Sequence, residues 1–414
     1  MQLSSFDEAC LAGDIGEAAR FAMQLIIAVG KATGAHSMLD VSQAHLVGCY
    51  DSGPANIQFL DAMIKQGAKV RVPTTLNASS ACVGADSPSA EQDICRARSV
   101  IDRYEAMGCT ATLTCAPYHL PSSPERGESV AWAESNAVVY ANSVIGARTN
   151  KTPQYLDLCA AITGRIPRTG FYLDQNRRAQ LVIDCTGISA GRWNSSLTYQ
   201  LLGLEMGKHA GSAVPVLVGL PGTTGADDLR ALGAGGASAG NVALFHAVGL
   251  TPEAPDLNSA LGGCDPTNTV AVSNADLERL AEQFSAPPGA AVSAVCLGTP
   301  HFSLEEFQVL LGELKKTQRQ CVIPCYVTTS RHVKGQLEQR LLLAELLKRV
   351  VQVVTDSCSY YGRVVPGLDG IVMNNSSKWA YYASGNLGIN ANLASLEDCV
   401  ATACTGNVPG RGAE

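Results

Sequence analysis

The stretch V-S-A-V-C-L-G-T-P-H-F-S-L-E-E-F-Q-V-L-L-G-E-L-K-K, residues 292–316, decides the fold. It opens on a short apolar run at 292–296, turns at Gly-Thr-Pro, and continues from Ser303 with apolar residues at helical spacing. Strand, turn and helix in that order make half of a βαβ unit. The following residues complete it, with a strand-like run at 321–327, a helical pattern at 335–349 and a β-rich run at 351–355. Such alternation places parallel strands beneath crossover helices. The chain therefore reads as α/β, with several parallel or mixed sheets covered by helices.

The same alternation extends outward. Upstream, residues 6–29 read as one helix capped by Ser4 or Ser5, 39–48 as a strand, and 69–72 (K-V-R-V) as another. Pro54 opens a helix that runs to about Gln66, in keeping with proline at a first helical turn. Residues 90–107 read as a helix, 111–114 (A-T-L-T) as a strand, and 130–145 as a single, almost uncharged helix. In the middle lie strands 180–185 and 214–219 and helices 195–208 and 225–235; a strand at 370–373 precedes a late helix. Turn-forming residues gather at Gly187–Trp193 and Pro252–Asp276. They suggest subdomains 1–190, 191–265 and 266–414.

Composition narrows the class. A chain of 414 residues, 46% hydrophobic, can bury two or three domain cores. Its net charge of −7 comes with no Lys/Arg-rich stripe, which disfavours a nucleic-acid partner. The N-terminus lacks a basic and apolar leader, and the apolar run Phe21–Val29 is interrupted by Gln24 and too short to span a bilayer. Fifteen cysteines in a long chain are neither dense nor even enough for a disulfide framework. The expectation is a cytoplasmic protein with reduced thiols and no membrane association.

Candidate chemistry sits where strands end, because strand carboxyl ends rim the crevice of open α/β folds. Cys115, Cys296 and Cys358 each follow a strand-like run; so do Cys49, Cys185 and Cys325, and spacing does not choose among them. Three converging thiolates would suit an iron–sulfur or zinc centre. Glu134, Ser135, Asn136, Asn142 and Arg148 are polar groups set in apolar sequence. Buried polar groups need partners, either within the core or on a polar substrate. Arg148 could clamp a carboxylate bidentately or form a structural salt bridge. Thr74, Thr75 and Asn77 follow a strand, as a binding patch or as a turn. Ser376 and Lys378 open a helix, where an anion site competes with simple capping. The glycine cluster 233–240, with Ser238, permits close backbone approach but matches no nucleotide-binding loop; His246 nearby reads as a core histidine. Cys296 and His301 also admit a Cys–His nucleophile, as in a zinc- or cysteine-dependent hydrolase. A non-catalytic scaffold, with the polar helix merely packed, is a third class.

Several of these motifs carry a resemblance. T-C-A-P-Y (114–118), A-W-A-E-S-N-A-V-V-Y-A-N-S-V-I-G-A-R-T-N (131–150) and C-A-A-I-T-G-R-I-P (159–167) are similar to the large subunit of the aconitase X family. V-P-T-T-L-N-A (72–78), the block 231–254, C-L-G-T-P-H (296–301) and D-S-C (356–358) continue the match, over about residues 5–390. The resemblance implies an aconitase-superfamily-like fold around a central cleft. It implies a dehydratase whose iron–sulfur centre, of two-iron, four-iron or mononuclear type, is held by Cys115, Cys296 and Cys358. It implies a small hydroxy acid as substrate: cis-3-hydroxy-L-proline for bacterial members, mevalonate 5-phosphate for archaeal ones. The segment G-C-Y-D-S-G-P-A (48–55) departs from the archaeal pattern, and no extra basic cluster awaits a phosphate, so hydroxyproline is favoured. S-S-A-C-V (79–83) replaces an acidic residue expected there. The family's small swivelling domain is not evident before the terminal G-N-V-P-G-R-G-A-E, which implies a separate small subunit as partner and possible donor of the base.

Overall fold

The computed structural model describes residues 1–48, 53–84, 87–362 and 364–410. Cys49, and with it residues 49–52 of the 48–55 segment, lie outside the described residues. The N-terminal region contains α1 (Ser5–Ala12), α2 (Glu17–Ala32), β1 (Met38–Asp40), β2 (Ala44–Leu46), α3 (Pro54–Lys65), β3 (Thr74–Leu76), α4 (Glu91–Ala106), β4 (Ala131–Trp132), α5 (Ser135–Tyr140), α6 (Leu156–Thr163) and β5 (Arg165–Pro167). The middle region runs β6 (Leu181–Asp184), α7 (Ser196–Ala210), β7 (Pro215–Val218), α8 (Ala226–Ala239), β8 (His246–Ala247), α9 (Leu257–Leu261), β9 (Asn268–Ala271) and α10 (Asn274–Gln283). The C-terminal region runs β10 (Ala294–Phe302), α11 (Leu304–Thr317), β11 (Cys325–Thr329), α12 (Arg331–Gln339), α13 (Leu342–Lys348), β12 (Val351–Val354), β13 (Ile371–Asn374), α14 (Ser377–Leu387), β14 (Asn390–Leu393) and α15 (Leu396–Thr405).

Three parallel sheets result, ordered β3-β2-β4, β8-β7-β6-β9 and β12-β11-β10-β13-β14. The small β1–β5 pair is antiparallel. This is the α/β architecture that the alternation predicted. The middle sheet takes β6 and β9 from outside the 191–265 span expected for a subdomain.

Local chemistry explains where elements differ from expectation. The helix expected over 6–29 is two helices: Gly13 adopts φ 91° and closes α1, whose start is held by a Ser4–Asp7 capping box. The helix expected over 335–349 is likewise two, parted at Leu341 with φ 59°. The strand at 39–48 divides between two sheets. K-V-R-V forms no strand, because Val70 N–H bonds Met107 and Arg71 N–H bonds Ala161. A-T-L-T is broken by Leu113 at φ 45°, a costly value for a leucine. Residues 130–145 are not one helix but β4, α5 and a π-helical turn at Ala141–Ile145.

The glycine cluster 233–240 turns out to be a packing device. It lies within α8 or at its end and lets α7 approach; a Cβ on Gly203 of α7 would stand 2.4 Å from the Leu232 carbonyl oxygen. Ser238 merely bonds the Ala234 carbonyl of its own helix at 2.8 Å. The largest core cluster draws Cys115 and Val139 from the first region, Leu202 and Leu232 from the second, and Cys296, Cys358 and Trp379 from the third. The three regions therefore share a core, in addition to separate cores within the first and third.

Overpacking in a tight interior costs about 1–3 kcal/mol. Gly203→Ala should lower unfolding free energy in urea by at least that amount, since backbone rather than a flexible side chain stands in the way. Unchanged stability would show that the helices have room to part.

Candidate active site

Within the shared core, Lys378 at the start of α14 meets Glu134 at the N-terminus of α5; Nζ and Oε1 are 2.5 Å apart. Both side chains are buried, with 3% and 5% exposure. Ser376 makes the approach possible. It caps α14 through Trp379 N–H and donates its hydroxyl to the Thr299 carbonyl, tying the helix to β10. The Glu134 carboxylate also accepts from Asn77 Nδ2 and Asn136 Nδ2, each at 2.8 Å. Ser135 adds a longer contact at 3.4 Å. Burial alone would raise the Glu134 carboxyl; Lys378 overrides it, with help from Asn136 and Asn77, and holds it at about 2. Burial likewise opposes the Lys378 charge, but Glu134 keeps the ammonium well above its ordinary value.

The thiols stand beside this pair. Cys358 S–H donates to Cys115 Sγ at 3.6 Å, and the backbone N–H of His301 donates to the same sulfur at 3.3 Å. Burial opposes ionisation of Cys115; the Cys358 hydrogen bond, the His301 ring and the Lys378 charge together bring it down to about 6. Cys358, sharing its proton with that thiolate, is pushed up. Among the described residues, Cys115, His301 and Cys358 place one potential metal-ligand atom each within 4.8 Å of one another, all buried. The His301 ring is oriented: Nε2 lies 3.0 Å from the Ser357 carbonyl, which can only accept, so Nε2 carries the proton. Nδ1 lies 3.0 Å from Thr114 Oγ1, a hydroxyl that can donate or accept. An imidazole that donates its far N–H to a backbone carbonyl is typical of a metal ligand.

The turn expected at Gly-Thr-Pro is instead an irregularity within β10 between Leu297 and Phe302, and it needs Gly298 at φ 88°, where a Cβ would stand 2.2 Å from the Thr328 carbonyl oxygen. Arg230, buried within α8 and ion-paired with Glu306 and Asp227, donates to the His301 carbonyl at 2.7 Å. On the opposite side Asp356, at φ 74°, is held by Arg331 at 2.6 Å, and Ser357 Oγ donates to the Ser79 carbonyl at the same distance.

The other expected site residues divide. Asn77, Glu134, Ser135, Asn136, Ser376 and Lys378 converge as described. Thr75 Oγ1 lies 2.8 Å from His45 Nδ1, and Thr74 turns back on the Val72 carbonyl. Asn142 is spent on Thr149, Ala243 and Arg177. Arg148 is ion-paired with Asp174 and bonded to the Tyr172 carbonyl, at the edge of an open cavity of about 360 Å³ that none of the thiols lines. Both are thus engaged by partners within the protein and stand apart from the Glu134–Lys378 pair. Cys296 is not part of the close Cys–His–Cys group. Burial pushes its thiol up to about 12 despite a hydrogen bond from Ser359. That is the opposite of an activated nucleophile, and His301 is grouped with Cys115 and Cys358 instead, so among the described residues the structure does not pair Cys296 with His301. His246 is a core histidine, donating Nε2–H to the Arg177 carbonyl at 2.7 Å.

Three polar groups escaped the sequence reading. His45 is fully buried, and burial drives its ring down to about 4 against the opposing effects of Glu134, the Thr114 backbone and Asn77. Arg230 hides in an amphipathic helix pattern without a signal. Lys151 directly follows the polar block 131–150; its Nζ donates to Asn241 Oδ1 at 3.1 Å. Burial and then the nearby Lys378 charge lower its pKa.

An α/β scaffold whose regions jointly enclose thiols, an imidazole and a buried ion pair has the polar interior of an enzyme site. Models of the first, second and third aconitase X domains match residues 1–175, 179–282 and 292–405. The chain belongs to the aconitase X family, and it is an enzyme of that family's dehydratase class. It is 38% identical over 98% of its length to a cis-3-hydroxy-L-proline dehydratase of Hypocrea jecorina, covering 69% of that protein. It is 37% identical over 99% of its length to one from Pseudomonas aeruginosa, covering 71%. The phosphomevalonate dehydratase large subunit of Thermococcus kodakarensis is 32% identical over 97% of this chain and 99% of its own length. A crystal structure of Thermococcus kodakaraensis aconitase X in its holo-form superimposes with a TM-score of 0.88 at 30% identity, covering 97% of this chain and 100% of that one.

Removing one member of a buried ion pair costs about 3–5 kcal/mol. Glu134→Gln should lose that much in guanidinium unfolding at neutral pH. The Glu134 carboxyl lies below its unfolded value of 4.5, so the pair's contribution is complete above that pH and fades as pH falls toward about 2. The gap between wild type and variant should narrow over the same window; a constant gap would mean that the charge is not what stabilises.

Proposed function

We propose that the chain dehydrates cis-3-hydroxy-L-proline to Δ1-pyrroline-2-carboxylate. The observation that carries this reading is the 38% and 37% identity to two dehydratases of that substrate, against 28–34% for phosphomevalonate dehydratase large subunits. The reaction removes the C2 proton and the C3 hydroxyl, and the resulting enamine tautomerises to the imine.

Lys378 stays charged and presents N–H donors beyond the one taken by Glu134, suited to a substrate oxygen. Glu134 is too acidic and too fully bonded to serve as base near neutrality; its work is to hold Lys378 ionised and placed. With Arg148 engaged by Asp174, Lys151 is the better candidate for the substrate carboxylate, because no ion pair occupies it among the described residues. An iron–sulfur or iron centre is proposed on Cys115 and Cys358. The third position goes to His301 rather than Cys296, on the grounds of the close group and the oriented ring. Such a centre would supply Lewis acidity toward the leaving hydroxyl. The base is assigned to a separate small subunit, a partner suggested by the large-subunit names of the archaeal relatives. A cytoplasmic setting is supported by free thiols at the described cysteines, and no described helix is long and apolar enough to cross a membrane.

Two measurements test this. Anaerobic co-expression with a neighbouring small-subunit gene should give iron-bearing protein that converts cis-3-hydroxy-L-proline and leaves mevalonate 5-phosphate untouched. Activity in iron-free protein, lost only on alkylation, would overturn the reading in favour of thiol chemistry. For the ligand set, iron per chain should collapse in Cys115→Ser, Cys358→Ser and His301→Ala and persist in Cys296→Ser. Loss in Cys296→Ser with retention in His301→Ala would restore the three-cysteine set.

A further inference from the structure

A second group of thiols lies away from the active site, in the C-terminal region. Cys321 precedes β11, Cys325 begins it, and Cys399 and Cys404 belong to α15. Backbone pairing fixes the approach: the N–H groups of Val322 and Ile323 both bond the Ala403 carbonyl, at 2.8 and 3.4 Å, which lays Cys321 against the end of α15. Cys321 and Cys404 each adjoin a residue of this backbone contact, and the Cys325 and Cys404 thiols both act electrostatically on the Cys321 thiol. Thr317 Oγ1 holds Cys404 Sγ at 3.8 Å.

Two facts choose among the uses of such a group. The sulfurs do not form a mutually close set of three among the described residues, so no metal cage is preformed; the contacts are pairwise, centred on Cys321. Cys325 is fixed in the central sheet, with Val295 on one side and Val351 on the other, and is 2% exposed. Cys321 and Cys404 retain 7% and 5%, just beneath Val322, which is 66% exposed. Cys321 and Cys404 thus lie at the edge of this core, whereas Cys325 is held between two neighbouring strands.

We propose that Cys321 and Cys404 form an oxidisable pair that peroxide converts to an intramolecular disulfide joining the start of β11 to the end of α15. The Cys321 thiolate attacks one peroxide oxygen; the O–O bond breaks, one oxygen leaves as water after taking up a proton, and Cys321 becomes a sulfenic acid. The Cys404 sulfur then displaces the hydroxyl of that sulfenic acid, forming the S–S bond and releasing a second water. Two thiols are oxidised and one peroxide is reduced. Cys321 is suited to the first step: the Cys325 hydrogen bond, opposed by burial, and then Cys404 and the Arg349 charge lower its pKa.

The test uses the full chain, prepared anaerobically with its metal, treated with hydrogen peroxide, alkylated and mapped by peptide mass spectrometry. The expected product is a Cys321–Cys404 linked peptide, two hydrogens lighter than the reduced pair and abolished by dithiothreitol. Cys404→Ser should abolish that link, and the double variant Cys325→Ser/Cys404→Ser should leave Cys321 as a sulfenic acid that dimedone captures. A Cys321–Cys325 link, or oxidation confined to the exposed Cys95 and Cys264, would overturn the proposal. The readout is independent of turnover, so failure of the proposed dehydration would leave it intact.

Discussion

The rest of the site depends on the buried contact between Lys378 and Glu134, which joins residues 244 positions apart. Two charges withdrawn from water lose several kcal/mol each in hydration. Their attraction offsets that loss only when the remaining hydrogen-bonding capacity is also used. Here Asn77 and Asn136 complete the carboxylate, so β3, α5 and α14 must arrive in register. A small shift of any one would leave a buried charge short of a partner. Asn136 extends the constraint, since its Nδ2 also bonds the Cys115 carbonyl while its Oδ1 accepts from Tyr118. The ion pair thereby positions the segment that carries the first thiol.

Cys115 comes from the N-terminal region, and Cys358 and His301 from the C-terminal one. Neither region holds the group alone. The isolated bridge between Ser79 and Ser357, reinforced by Ser357 Oγ on the Ser79 carbonyl, fixes the Cys358 side across the same boundary. Arg230 of the middle region reaches into the part of β10 that presents His301. The ionisation state of Cys115 follows from this assembly rather than from its local sequence, because its hydrogen-bond donor and its nearest cation both belong to the distant region.

This also explains what was legible in the sequence. The strand–helix alternation from 292 to 355 predicted the parallel sheet, because periodicity is local; the turn expected at Gly-Thr-Pro is part of β10, which runs on to Phe302. The convergence of Glu134, Asn77, Asn136 and Lys378 was visible only as polar density, since which polar residue meets which is a tertiary matter. Arg148 and Asn142 belonged to the same block, yet Asp174, Thr149 and Ala243 claim them. Nothing in their spacing separates them from Glu134. Cys358 follows β12, but Cys296 lies inside β10, whose irregularity between Leu297 and Phe302 directs the His301 N–H to Cys115. A strand-end rule sees the first and not the second.

Charge pairing gives the proposed substrate reading its last step. Lys378 and Lys151 feel each other, yet their pKa values move in opposite directions. The difference is the acid: Lys378 has Glu134, while Lys151 has the neutral Asn241 amide. A bound carboxylate would complete Lys151 as Glu134 completes Lys378, and would raise its affinity for the proton. Arg148, Arg230 and Arg331 already face Asp174, Glu306 and Asp356. Among the described residues, Lys151 has a neutral amide where these cations have an acid, an arrangement with room for one carboxylate.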